Sequence, residues 1–592
     1  MATETILSPG VLLQEVDKSF TSPSTDPSGM AIIGPTAKGP VEIPTEIKSY
    51  DDFKQIFGTT IQSGSQKFEY FTNLSIKNYF INGGSSALVV RVVSGSETWG
   101  AAGNTHLSAS AKGSTEPFTL KTIGKGTIFN NAVDSTTAPE LFSNGRLKTG
   151  SVDNVRWEVL NKNNAQGTFT LVVRRGDDTN ASPLVLEQYT ELSLDPNSEN
   201  YISKRIGDTE EILVLDSETG YYLVESSGSF PNKSKYIRVD AVNLPTYNYI
   251  GNGNTVNNDA TGTSYSASLP IDGSGSFFGG LGSVLSTVQS ENRYSSQSST
   301  SGDNIQGLTT ASYTKAVSLL KDKENYKFKT LVVPGLNQEH HSGLIDNIIS
   351  NTTTRGDNFF VLDLVPYNSS INTVTGEAGE LDSSFAGAYW PWVQVRSQEL
   401  GRNVWCPAST IIPGLYSKND SIAAPWFAPA GDIRGRVGNL IAKTETKLQK
   451  SDRDTLYSGK VNPIATFIDT GIVVFGQKTL QQDKSALDRI NVRRLLLDVK
   501  DTIGEMADSI VFEQNTQQTR DRFVRQVTPY LESLVQRQGV YAFQVKMDGQ
   551  LNTPDVIDQN KLIGQVFLQP TKTAEFVVLD FILTPTGASF ID

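Results

Sequence analysis

The chain has 592 residues, 37% of them hydrophobic, and 51 Lys or Arg against 63 Asp or Glu give a net charge of −12. At roughly 150 residues per domain this predicts about four domains with several cores, and an acidic surface disfavours nucleic acid as a partner. Three histidines and the lone Cys406 exclude an intrachain disulfide and leave few groups for acid–base, nucleophilic or transition-metal chemistry.

Met1–Gly10 has neither the basic region nor the apolar core of a signal peptide. Runs such as Ala87–Val90 and Gly471–Phe475 fall far short of the ~20 apolar residues that span a bilayer, so the expectation is a soluble protein made in the cytoplasm. Residues 1–27 read as a polar arm with one extended patch, Pro9 to Val16, and a Ser/Thr/Pro-rich linker from Thr21 to Pro27.

Residues 28–95 predict a strand at Met30–Ile33, a helix capped by Ser49 with Asp52 three residues on, apolar residues at helical spacing from Phe68 to Phe80, and a strand over Ala87–Val93. Residues 96–325 differ. Short alternating strands (Val155–Leu160, Thr168–Val173, Ile212–Leu215, Tyr221–Val224) are separated by Asn/Gly/Asp turns. This zone has 18 basic and 25 acidic residues, so it supplies −7 of the net −12. Within it, 251–312 reads as a long Gly/Ser loop, with a helix over Ser312–Leu320 at its end.

Residues 326–484 follow a β–α–β grammar: a strand at Thr330–Val333, a helix over Asn337–Ser350 and a strand at Phe359–Val365. Because 28–95 offers little core alone, it is expected to pack with 326–484, leaving 96–325 as an insertion of two subdomains (about 96–200 and 201–325). Residues 485–572 predict an amphipathic helix from Leu487 to Ile510 and a second through Phe523 and Leu534 with Pro529 inside it and Asn515/Gln518 as a capping box. A strand with Tyr541, Phe543, Val545 and Met547 on one face follows, then Leu562–Leu568, and last an arm strand at Phe576–Leu583 within 573–592. The fold class expected is α+β and multidomain: an α/β middle domain, a β-rich insertion and an α+β C-terminal domain.

Candidate chemistry is sparse. His340 and His341 are helix neighbours pointing about 100° apart, so surface or core roles outweigh a metal site. Gly273–Gly279 lacks dinucleotide-fingerprint spacing and reads as a flexible loop. Asp363, at a strand end, has no predicted catalytic partner and reads as a loop cap. Tyr389, Trp390, Trp392, Trp405 and Trp426 lack interleaved cations and read as core or subunit contact. No catalytic residue, cofactor or metal is expected. The charged run Arg493, Arg494, Glu513, Arg520, Arg522 and Arg525 suits either a salt-bridged surface or a contact with a protein partner. Both chain ends carry short strands, Val11, Leu12, Leu13, Gln14, Glu15 and Val16 at one and Phe576, Val577, Val578, Leu579, Asp580, Phe581, Ile582 and Leu583 at the other. Such strands are marginal alone and must pair, within the subunit or with a neighbour's sheet edge.

Ser8–Val16 (SPGVLLQEV), Ser384–Pro391 (SFAGAYWP), Val404–Ser409 (VWCPAS), Ala428–Gly435 (APAGDIRG), Ile490–Leu496 (INVRRLL) and Val511–Asn515 (VFEQN) together resemble the tail sheath proteins of contractile bacteriophages. The sheaths of R-type pyocins and type VI secretion systems are related to these. The resemblance covers the leader, part of 28–95 and most of 380–592, and departs at Phe385 and Cys406, where Tyr and an aliphatic residue are common. It implies a non-enzymatic homopolymer of stacked hexameric rings around a tail tube, held in a metastable extended state. Contraction drives the tube through the host envelope. It further implies that the arm strands are exchanged between subunits and complete the C-terminal domain's sheet, that this domain faces the tube, and that the insertion faces outward. The partners implied are other copies of the chain, the tail tube protein, and baseplate and tail terminator proteins, with no nucleic acid and no membrane insertion. The place implied is a virion tail assembled in the host cytoplasm. A phage-like injection device is an alternative, and an α/β hydrolase with a β-rich insert a weaker one.

Overall fold

The computed structural model describes residues 28–63, 66–93, 99–101, 116–125, 141–148, 150–218, 220–251, 254–277, 306, 308–438 and 441–575. The expected strands at Val11 to Val16 and Phe576 to Leu583 lie outside these.

The β-branched run after Ser28 forms a strand, Ser28–Gly34, near the middle of an eight-stranded sheet. In spatial order the strands are Thr45–Ile47, Ala87–Arg91, Ser28–Gly34, Phe328–Asn337, Phe359–Asp363, Ala386–Trp390, Val461–Phe467 and Gly471–Val474. The outermost pair on each side is antiparallel and the rest parallel. Residues from either side of the insertion therefore share one hydrogen-bond ladder, with Met30 opposite Thr330 and Ile32 opposite Val332. Successive side chains alternate between faces. Ala31, Ile33, Leu331, Val333, Phe360 and Leu362 enter one buried cluster with Tyr313, Ile345 and Val374. Met30, Ile32, Val332, Phe359 and Val361 enter another with Phe53, Leu74, Leu415 and Tyr416. A sheet covered on both faces explains why its strands read as unbroken apolar runs.

Local signals account for the helices around it. Ser49 Oγ accepts from the Asp52 N–H at 3.1 Å and starts Tyr50–Phe57, which buries Phe53 and Phe57. Asn337 caps Gln338–Arg355 in the same way, through the His340 N–H at 3.2 Å. The next helix starts later than its apolar spacing suggests. Gln66–Glu69 pairs with Thr60–Ser63 as a hairpin, so Phe68 lies in a strand and the helix is Phe71–Ile81. The helix Thr310–Leu319, expected to close the insertion, packs Tyr313, Ala316 and Val317 into the sheet's own core. Gln306 reinforces that placement, accepting from the Phe71 N–H at 2.6 Å and donating to the Pro334 carbonyl at 2.9 Å. Residues 306 and 310–319 thus pack with the central sheet.

The insertion has a four-stranded sheet (Val185–Ser193, Thr168–Arg175, Val155–Asn163, Gly273–Ser276), a three-stranded sheet (Ile237–Val242, Phe118–Lys125, Trp99–Ala101) and a hairpin of Glu210–Leu215 with Tyr222–Ser227. One cluster, from Phe118 and Trp157 through Ile206 and Val239 to Phe277, spans both halves. Residues on both sides of position 200 thus share this cluster. Gly273–Ser276, read as a flexible loop, is an edge strand on Val155–Asn163. Its Gly275 lies so close to the Trp157 indole that a Cβ there would stand 2.2 Å from the ring.

Beyond the sheet, Ile490–Asp508 and Gln517–Gln536 pack Leu495, Val499, Phe523, Val527, Leu531 and Leu534 against Trp426 and Val540. Thr516, not Asn515, caps the second helix, its Oγ1 accepting from the Thr519 N–H at 3.3 Å. The helix runs on through Pro529.

Candidate functional site

After the second helix the chain forms an antiparallel ribbon, Val540–Lys546 with Gln565–Pro570, in register Phe543–Leu568, Gln544–Phe567 and Val545–Val566. Among the described residues these two strands are the whole sheet, and neither outer edge has a partner strand. One face is half-buried through Phe543, Val545, Val566 and Leu568, which pack on the two-helix core. The other leaves Tyr541 and Phe567 exposed. Tyr541 departs from the face expected for it because a register shift between Val540 and Ala542 reverses the alternation there. The helices support the two strands, and the two open edges are templates for further pairing.

The described chain ends at a fixed point beside this ribbon. Glu575 receives Arg489 in a two-pronged pair, Nε to Oε1 at 2.7 Å and the second guanidinium nitrogen to Oε2 at 2.9 Å. Tyr457 Oη donates to Oε2 at 2.5 Å, and Gln477 Nε2 donates to Oε1 at 3.1 Å and to Thr573 Oγ1 at 2.6 Å. Burial opposes the carboxylate charge, but the donors from Arg489, Tyr457 and Gln477 outweigh it and hold the Glu575 pKa below its ordinary value. Such a bidentate charged pair resists rotation as well as separation. Sequence reasoning missed this group, whose Tyr, Gln and Arg members lie 118, 98 and 86 residues from Glu575.

The charged run divides. Arg493 is buried, donating from Nε to the Ser384 carbonyl at 3.1 Å with its guanidinium 3.9 Å from the centre of the Phe385 ring. Arg494 is paired with Asp420 and stands 4.5 Å over Tyr416. Arg520 is buried and donates to Asn515 Oδ1 at 2.7 Å. Arg493 and Arg494 tie the helix Ile490–Asp508 to residues 384 and 420, and Arg520 bonds within its own turn. Arg522 and Glu513 form an exposed 3.5 Å pair, and Arg525 is exposed.

Groups that might have carried chemistry are absorbed into structure. Asp363 is fully buried, accepting from the Ser409 N–H at 3.0 Å and its hydroxyl at 2.5 Å, and burial raises its pKa to about 7. His341 Nδ1 is 3.2 Å from the Asn337 backbone nitrogen. Among the described residues no group of three or more His, Cys, Asp or Glu could hold a metal ion. None of their helices is long and apolar enough to cross a membrane. Trp392 donates to the Val365 carbonyl at 3.1 Å, Trp426 to the Arg537 carbonyl at 3.0 Å, and Tyr389 and Tyr416 share a 2.7 Å hydroxyl contact, so the aromatic cluster is core.

Residues 306–480 match the family described as the phage tail sheath protein central domain, and residues 482–584 the phage tail sheath C-terminal domain. Over 191 residues the chain is 37% identical to the tail sheath protein of Vibrio phage KVP40, covering 32% of this chain and 28% of that one. It is 36% identical over 188 residues to the tail sheath protein of Enterobacteria phage T4, with the same coverages. The matched part thus spans under a third of these relatives' length. A crystal structure of a sheath tail protein from Listeria innocua aligns over 92% of this chain and 95% of its own with a TM-score of 0.50 and 10% identity, a likeness of fold.

Proposed function

The chain belongs to the contractile phage tail sheath family, and from that premise we propose that it is the sheath subunit of a phage tail, polymerising as stacked hexameric rings around the tail tube. The observation that carries the reading furthest is the two-stranded ribbon with both edges open. In this reading the N-terminal strand Val11 to Val16 of one neighbour and the C-terminal strand Phe576 to Leu583 of another pair along those edges. Main-chain ladders hold while the bodies they join rotate, provided the linkers bend, and the Ser/Thr/Pro stretch Thr21–Pro27 supplies such a linker. Contraction then exchanges one set of subunit contacts for a lower-energy set, consumes no nucleotide, and drives the tube through the host envelope. The divisions proposed are an arm (1–27), a discontinuous middle domain, the outward-facing insertion, a C-terminal domain toward the tube, and a C-terminal arm from 573. Baseplate and terminator proteins are the proposed partners at the polymer's ends.

Electron microscopy of the purified chain tests this: hollow striated tubes are expected, and persistent monodisperse monomers would sink it. Deleting residues 1–20 is expected to abolish tubes while leaving a folded monomer with unchanged circular dichroism. Normal tubes from the truncated chain would refute strand exchange.

A further inference from the structure

The parallel strands of the central sheet, numbered in chain order, lie second, first, third, fourth, fifth and sixth across it. The chain therefore reverses its direction of travel between Ser28–Gly34 and Phe328–Asn337. Beyond the carboxyl ends of two strands at such a reversal a crevice opens, and there open α/β sheets hold their ligands. One wall of this crevice is the start of the helix Phe71–Ile81, whose first-turn N–H groups receive no side-chain cap from Tyr70. Thr72, in that turn, is fully buried. Its hydroxyl faces Gly34, the last residue of the first strand, where a Cβ would stand 2.3 Å from Oγ1, and it has no hydrogen-bond partner among the described residues. The other wall is Phe328–Asn337, whose ladder with Phe359–Asp363 is interrupted between Val332 and Asn337.

Gln306 enters from the chain returning out of the insertion and bridges the two walls. Its buried amide accepts from the Phe71 N–H at 2.6 Å and donates to the Pro334 carbonyl at 2.9 Å, within the interrupted stretch. Gly335 admits it: a Cβ there would lie 3.3 Å from the Gln306 Cγ. The reach passes over the strand ends from one face of the sheet to the other, because Leu308 and Tyr313 belong to one buried cluster and Phe71 to the opposite one. The Gln306 backbone is held at φ 55°, a conformation uncommon outside glycine and asparagine. The amide oxygen thus stands at the positive end of the helix, the position an anion's oxygen takes at other helix starts.

We propose that Gln306 is a built-in occupant of a ligand crevice, and that inorganic phosphate takes its place when the side chain is removed. The chemistry of the walls selects this ion. A phosphate oxygen accepts from the Phe71 N–H and the Thr72 hydroxyl, and a P–OH donates to the Pro334 carbonyl as the amide does. Sulfate offers the same acceptors but carries no proton at neutral pH, so it leaves that carbonyl facing an anion. In the intact chain Gln306 closes the site in cis and acts as a positioning residue, fixing the start of Phe71–Ile81 over the two strand ends. The proposal needs no polymer and stands apart from the sheath reading.

The test is a denaturant titration of the full chain, Gln306→Gly and Gln306→Leu, each in phosphate and in sulfate at pH 7 and equal ionic strength. Both salts strengthen burial in general, so the difference between them reads the crevice. Glycine suits the positive φ and vacates the space, whereas leucine fills it and offers neither acceptor nor donor. For the parent and the leucine variant the two salts are expected to give the same folded-to-unfolded ratio. For the glycine variant, phosphate is expected to raise that ratio about tenfold or more over sulfate, increasing with phosphate concentration as binding to the folded state requires. Gln306→Asn, one methylene shorter and tolerant of positive φ, takes the place of glycine in the same comparison if that variant does not fold. A glycine or asparagine variant that responds equally to both salts overturns the proposal and leaves Gln306 a packing residue. The same phosphate preference in the parent or the leucine variant also overturns it, because the ion would then be bound elsewhere.

Discussion

Asp363 shows how a carboxylate at a parallel-strand end serves structure instead of chemistry. Its two oxygens take both hydrogen-bond donors of Ser409, tying the end of Phe359–Asp363 to the segment before the helix Ile412–Ile422. Burial outweighs those bonds and holds its pKa at about 7, against about 3.9 in an unfolded chain. Between those values the folded state keeps a proton that the unfolded state has released, so stability falls as pH rises through this window and levels off above it. The full effect is on the order of 4 kcal/mol. Denaturant titrations at pH 4.5 and 8 are expected to show this loss, and Asp363→Asn, which cannot ionise, is expected to make the profile shallower, the remaining slope coming from Glu445, which burial also raises to about 7. An Asn variant with the parental pH dependence would remove Asp363 as its source.

At the scale of elements, exposure of backbone amides should follow sheet completeness. Strands inside the eight-stranded sheet have partners on both sides, whereas each strand of the ribbon has one. Hydrogen exchange is therefore expected to be slow at Ile32 and Val332 in monomer and polymer alike, and fast along the outer edges of Val540–Lys546 and Gln565–Pro570 until assembly protects them. Ribbon amides that exchange equally fast before and after assembly would count against edge pairing. Elements of this kind were legible from the chain where the signal is local. Ser49 with Asp52 marks a cap that the structure contains, and Val155–Leu160 and Thr168–Val173 alternate as strands do. Phe68 was not, because over few residues hairpin alternation and helical spacing coincide. The buried face of Thr310–Leu319 can be seen in its spacing, but spacing does not say which core receives it. Tyr541 falls on the unexpected face because a single extra residue in a ladder leaves no mark in composition. The group around Glu575 is assembled from four distant segments, and no spacing rule reaches across them.

For the whole molecule, the four buried clusters share no residue, and that of the insertion stands apart from the two that flank the central sheet. It is braced by a buried network in which Asp178 receives Arg156 at 2.9 Å and Arg174 at 2.6 Å, and Arg174 also reaches Glu158 at 3.0 Å. Asp178→Asn leaves two buried guanidinium groups short of counter-charge, at a cost of roughly 3–5 kcal/mol. Calorimetry is expected to resolve a transition for the insertion that moves down in this variant while that of the central sheet stays in place. A single transition shifting as one would show that the two cores unfold together.

The bracing of Glu575 also decides how the subunit would carry load. A pull on the chain leaving this residue does not peel strands apart one hydrogen bond at a time, because the tug arrives first at a forked ion pair whose bonds must lengthen together. Arg489 immediately precedes the helix Ile490–Asp508, Gln477 follows the edge strand Gly471–Val474, and Tyr457 lies in the helix Lys450–Ser458 that packs on the sheet. Tension is thus divided at one point among a long helix, a sheet edge and a covering helix. Glu575 is fastened to the frame of the subunit, so a pull applied there bypasses the ribbon.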